Sequence, residues 1–208
     1  MVALDDAALR GPSLLPGWTR AHVLAHIARN ANGLGNLVTW AQTGVETPMY
    51  ASADSRAADI EATAALPPAE LRAEVRRADD ELLAALRALG DQGGAVEVRA
   101  LLGDPFPASD LPWVRSREAW VHLVDLDGGV GFDDVPADVL TGLLDEAVSR
   151  APGRELAEGV ALVDVGTGRR WQLGPDPAAE VEASLPALVG WMTGRRPVAG
   201  GPAPPRWP

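Results

Sequence analysis

The sequence predicts a mainly α-helical protein, a helical bundle followed by a small α/β unit. Apolar residues recur at helical spacing in four long stretches, near 20–41, 67–89, 109–126 and 136–150. Strand-like alternation appears only late, around 159–173. A chain of 208 residues with 47% hydrophobic and 23% charged residues is long and apolar enough to bury a core. The bundle is expected over residues 1–133 and the α/β unit over 134–208.

Each element has a local reason. Pro16-Gly17 makes a turn, and Thr19 can cap the helix that follows, about 20–41. Its apolar positions Val23, Ile27, Leu34, Leu37 and Val38 keep roughly to one face, and Gly33 and Gly35 permit close packing. Residues 43–65 are polar and small, and 46–52 read as a loop. Pro67-Pro68 open a second helix through Leu71, Val75, Ala78, Leu82, Leu86 and Leu89. Gly90 and Gly93-Gly94 stop it, and 96–102 reads as a short extended piece. Ser109 is expected to cap a third helix to about Leu126, with Pro112 in its first turn. A fourth helix follows over 136–150. Gly159 to Val165 and Arg170 to Leu173 form a hairpin around Gly166-Thr167-Gly168, which lacks the Lys of a phosphate loop. A last helix is expected over 180–193, kinked at Pro186. The Pro- and Gly-rich tail, 197–208, is expected to be mobile. There are no internal repeats.

Composition excludes several functions. The formal net charge of −11 argues against nucleic acid, whose phosphates require a Lys/Arg surplus. The absence of cysteine rules out a disulfide framework and a thiolate zinc site. Any thiol chemistry must then use a small-molecule thiol. No apolar run reaches membrane-spanning length and the N-terminus has no signal-peptide pattern, so a cytoplasmic protein is expected. Arg supplies all 18 basic residues, which suggests a GC-rich genome such as an actinobacterial one.

The chain has three histidines, all in helical stretches: His22, His26 and His122. Glu118 and His122 are four apart and share a helix face. With His26 they make a two-histidine, one-carboxylate set. Three protein ligands leave a position for water or substrate, as in catalytic zinc sites. The plain alternative is a solvated Glu118 and a core His122. His22 also stands four before His26, but is expected to pack or hydrogen-bond at the helix start. Asp125 is a candidate to orient an imidazole from behind, and Asn30 is similar; both are candidate cofactor-binding residues. The alternative for Asp125 is solvation of the helix end. Trp18, Trp113 and Trp120 are expected to be core residues.

At these residues the chain resembles the mycothiol-dependent maleylpyruvate isomerase family. The similarity lies in 15–30, Leu-Pro-Gly-Trp-Thr-Arg-Ala-His-Val-Leu-Ala-His-Ile-Ala-Arg-Asn, and in 46–52, Glu-Thr-Pro-Met-Tyr-Ala-Ser. It continues in Ser109 to Trp113, Arg117-Glu118 with His122, and Val124 to Leu126, and more loosely in Leu188 to Arg195. The resemblance implies a DinB-like bundle with a divalent metal, usually zinc, on His26, Glu118 and His122. It implies a smaller α/β domain contributing an arginine, which maps to Arg195 or Arg196. It implies mycothiol as the thiol, and conversion of maleylpyruvate to fumarylpyruvate by thiol addition, bond rotation and elimination. That chemistry belongs to gentisate-type aromatic degradation. The arginine would hold a substrate carboxylate. The alternatives are another mycothiol-dependent enzyme of this fold, such as an S-transferase, and a non-catalytic metal-binding module. The expected partners are small molecules, in a monomer or homodimer.

The chain departs from the family in one place. Such bundles begin with a helix ahead of the Pro-Gly-Trp motif, whereas Asp5 to Arg10 is too short for one. Either the chain starts late relative to the family or another subunit fills the gap. Apolar faces left without that helix favour dimerisation or low stability.

Overall fold

The computed structural model describes residues 4–101, 104–149, 159–198 and 201–204. The chain divides into two compact units, Met1–Gly128 and Gly129–Pro208. That division falls five residues before the expected boundary at 133/134. The first unit is helical and the second mixes helices with a three-stranded sheet.

The first unit is built around α1 (Arg20–Thr43). Thr19 caps it in extended backbone, accepting from the His22 amide while His22 Nδ1 accepts from the Thr19 amide. Gly44 ends it in the left-handed region at φ 70°. Small and branched residues face inward, with Ala25, Ala28, Leu34 and Leu37 fully buried. Gly33 has a packing role: a Cβ there would lie 2.9 Å from Met49 Cγ and 3.2 Å from Tyr50 Cε1. The 46–52 loop therefore lies flat on α1, and Asn36 Nδ2 donates to the Pro48 carbonyl at 3.2 Å.

A helix the sequence reading lacked follows this loop. Residues 53–64 form α2 (Ala53–Ala64), capped by a reciprocal Ser52–Ser55 box. Only Ile60 and Thr63 are buried, so little apolar periodicity marks it. α3 (Pro68–Arg87) buries Leu71, Ala78 and Leu82. The glycines expected to stop it form a short turn of helix, α4 (Gly90–Gly94). β1 (Glu97–Val98) pairs antiparallel with β2 (Phe106–Pro107). Ser109 does not cap the third long helix. It lies within a 3-10 turn, Ala108–Asp110, that runs straight into α5 (Leu111–Asp125). Asp110 occupies the cap position in helical backbone and makes no side-chain cap bond, since capping needs an extended residue there.

The N-terminal stretch contributes one 3-10 turn, Ala8–Arg10, whose Leu9 is buried. It lies beside an apolar cavity of about 260 Å³ among α1, α3 and α5, lined by Val23, Ile27, Val75 and Leu123.

The second unit holds a 3-10 turn, Phe132–Asp134, α6 (Ala137–Ser149), β3 (Gly159–Asp164), β4 (Arg170–Leu173), β5 (Pro177–Ala183) and α7 (Leu185–Met192). The fourth helix, expected to 150, is described to Ser149. The strand order is β4-β3-β5, with β3 antiparallel to β4 and parallel to β5. The hairpin matches expectation, but the helix expected over 180–193 does not. Residues 177–183 instead form β5, and Pro186 sits in the first turn of α7, where it costs no hydrogen bond. Val181 is buried between exposed neighbours and pairs with the fully buried Leu162, so tertiary pairing outweighs the helix propensity of Ala and Glu. In the tail, Trp191 Nε1 donates to the Pro202 carbonyl at 2.9 Å. Residues 199–200 and 205–208 lie outside the described residues. Among the described residues, no helix is long and apolar enough to cross a membrane.

Candidate metal centre

α1 and α5 bring His26, Glu118 and His122 together in the first unit. The Nε2 atoms of His26 and His122 are 3.0 Å apart. Glu118 Oε2 lies 3.3 Å from His26 Nε2 and 3.7 Å from His122 Nε2. One ligand atom from each lies within 4.8 Å of the others. Two nitrogen or oxygen ligands of a tetrahedral zinc, each about 2.0–2.1 Å from the ion, sit about 3.3 Å apart. The three donors bracket that spacing, and two imidazoles with a carboxylate are a donor set for zinc and neighbouring divalent ions. The residues fit a metal.

The surroundings fix the donors. Asp125, fully buried, accepts a hydrogen bond from His122 Nδ1–H at 2.8 Å, leaving the Nε2 lone pair facing the centre. Trp18 packs on the His26 ring with centroids 5.7 Å apart. Burial pushes His26 below the ordinary imidazole pKa, reinforced by the His122 and Arg56 charges and opposed by Glu118. Burial works against the Glu118 anion too. The His122 and His26 imidazoles beside it overcome this and hold Glu118 well below the usual carboxylate range. Burial likewise opposes a charged His122, yet the bond to Asp125 and the nearby Glu118 carboxylate raise its pKa. The centre thus concentrates negative charge opposite imidazole nitrogens.

The other residues singled out from the sequence have different surroundings. Asn30 Oδ1 accepts from Arg115 Nη1 at 3.0 Å. Arg115, 7% exposed, also binds the Ile27 carbonyl and Asp79. Asn30 therefore anchors a buried guanidinium one turn from His26. His22 is engaged in the Thr19 cap and with Glu61 at 3.2 Å. Trp18, Trp113 and Trp120 are half-buried, not core residues. Arg195 and Arg196 lie in the second unit, both backbone amides bonded to the Gly190 carbonyl. Arg195 Nη1 donates to the Thr193 carbonyl at 2.6 Å, and Arg196 pairs with Asp133 at 3.2 Å.

Sequence reasoning missed Arg56 and Tyr50. Arg56 Nη2 lies 3.1 Å from His26 Nδ1, and its guanidinium carbon 5.6 Å from the Tyr50 ring centroid. Burial raises the Tyr50 pKa against the pull of Arg56. Tyr50 is the chain's single tyrosine and lies in the 46–52 motif, which was the available signal. Arg56 had none, being on an unforeseen helix.

Known proteins converge on the same fold. The chain superimposes with a TM-score of 0.92 on a crystal structure of the mycothiol-dependent maleylpyruvate isomerase, and equally on one of its histidine-to-alanine mutants. Both are 36% identical, the match covering 98% of this chain and 88% of theirs. A curated phosphoribosyl-imidazole-4-carboxamide isomerase from Salinispora tropica is 36% identical over 87 residues, 36% of this chain. The chain spans about a third of that relative's length. The family model of the mycothiol maleylpyruvate isomerase N-terminal domain matches residues 1–127, and the chain belongs to that family.

Proposed function

We propose that the protein is a metal- and mycothiol-dependent cis–trans isomerase converting maleylpyruvate to fumarylpyruvate, acting in the cytoplasm in gentisate-type aromatic degradation. The observation that carries this is the convergence of His26, Glu118 and His122 in a chain of this family that has no thiol of its own. The Arg-only basic complement supports an actinobacterial source, where mycothiol is the small thiol.

The substrate's carbon–carbon double bond does not rotate. Adding a thiol across it leaves a single bond that does, and eliminating the thiol returns the trans alkene. A divalent ion on the three donors, zinc foremost, would supply a Lewis acid to a thiol sulfur or a substrate carbonyl oxygen.

The chain's own residues set the stage. Asp125 holds the His122 proton on Nδ1, so the ring presents a lone pair inward. Glu118 stays ionised through the physiological range, its carboxyl held well below the usual carboxylate range by the two imidazoles beside it and by Arg117. Trp18 covers one side of His26. We assign the grip on a substrate carboxylate in the second unit to Arg195 or Arg196, whose planar fork suits that geometry.

The test is spectrophotometric: zinc-loaded protein with maleylpyruvate, with and without mycothiol. Conversion to fumarylpyruvate that needs the thiol, and is lost in His26→Ala and His122→Ala, is expected. No conversion by folded, metal-replete protein would overturn the assignment.

A further inference from the structure

The two ligand histidines are held differently on their outer nitrogens. His122 Nδ1 faces a carboxylate, Asp125, and donates to it. His26 Nδ1 faces a guanidinium, Arg56, at 3.1 Å. Arginine has only donors and never loses its charge. His26 Nδ1 is therefore the acceptor in that bond, and in the neutral ring the proton sits on Nε2. That is the nitrogen facing His122 and Glu118. A ring that ligates through Nε2 needs the lone pair there and the proton on Nδ1, which would then point at another donor. The Arg56 bond and ligation by His26 Nε2 are thus alternatives.

Once displaced, Arg56 has nowhere neutralising to go. Among the described residues it has no carboxylate partner, although ion pairs are common elsewhere on the helices. It stays close, because its guanidinium lies over the Tyr50 ring and Tyr50 is pinned by the loop against Gly33. The result is a half-buried guanidinium in no direct ion pair beside three metal-ligating groups.

We propose that Arg56 is an anion-binding residue of this centre, released from His26 when that ring takes a cation and then gripping a carboxylate of the ligand. The carboxylate class rests on the function proposed above; the exchange at His26 does not. Arg56 thereby couples cation binding to anion binding, so that an anionic ligand meets a free guanidinium only at a loaded site.

The test uses cobalt(II), whose visible absorption reports its ligands, and maleate, a cis-dicarboxylate that cannot isomerise through a keto group. Wild type, Arg56→Gln and Arg56→Lys are compared, with circular dichroism confirming the fold. In Arg56→Gln, cobalt should bind about threefold to tenfold tighter, since one hydrogen bond no longer has to be broken. Maleate should bind cobalt-loaded Arg56→Gln about tenfold or more weakly than loaded wild type, from loss of a charge-assisted bond, with Arg56→Lys in between. Unchanged or weaker cobalt binding in Arg56→Gln overturns the proposal, and so does unchanged maleate affinity. Neither readout uses mycothiol or turnover, so failure of the isomerase assignment shows separately, in the maleylpyruvate assay.

Discussion

Two parts of the molecule bury carboxylates, and they satisfy them in opposite ways. In the second unit Asp164 ends β3 and is 4% exposed. Its oxygens accept from the Gly166 and Thr167 amides at 3.1 and 3.2 Å and from the Thr167 hydroxyl at 2.6 Å, all within three residues. The turn supplies most of its own bonds. In the first unit Glu118 meets His26 from a helix far away in sequence, and three donor atoms point at one spot instead of at backbone amides. A buried acid bonded locally explains a turn. Acids and imidazoles that converge from distant elements on one point form a set of donors that a cation can bridge.

The contrast is broken most severely by removing a donor. Glu118→Gln and His122→Ala should each lower zinc affinity by more than about 100-fold, measured by chelator competition, because loss of a supporting partner alone costs 10–100-fold. Unchanged affinity in either would remove that residue from the ligand set. Asp125→Asn is the next largest case. It keeps the shape but loses the charge that fixes the His122 tautomer, and zinc affinity should fall roughly 10–100-fold. Equal affinity would make Asp125 a helix-end residue only.

Asp164→Ala sharpens the other half. It should lower unfolding free energy by about 1–2 kcal/mol at neutral pH and leave zinc affinity unchanged. The Thr167 hydroxyl bond, against the opposing effect of burial and with help from the Gly166, Thr167 and Leu185 amides, holds the Asp164 carboxyl below its ordinary value of 3.8. A carboxyl depressed on folding stabilises above its unfolded pKa, and that contribution fades as pH falls through the folded one. The gap between wild type and variant should therefore be full above about pH 5 and shrink below pH 4, read from urea melts. A gap that widens in acid would contradict this.

The same division separates what the sequence disclosed from what it hid. Thr19 as a cap, α1, α3 and α5 followed from spacing and punctuation, which are local signals. The Glu118–His122 pair was legible because one helix turn places both on one face. α2 was missed because Ile60 is its sole buried large apolar residue. β5 was missed because Ala and Glu favour helix locally while pairing with β3 decides otherwise. Arg56 and Arg115 could not be found from periodicity, which says which face is apolar but not what a charged side chain reaches. Asn30 was marked for its position beside His26, yet its oxygen serves Arg115.

The most direct measurement is cobalt binding followed by visible absorption on wild type and His26→Ala. One ion per chain, with a spectrum of nitrogen and oxygen ligation that disappears in His26→Ala, is the expected result. No binding, or a spectrum indifferent to His26→Ala, would contradict a centre built from His26, Glu118 and His122.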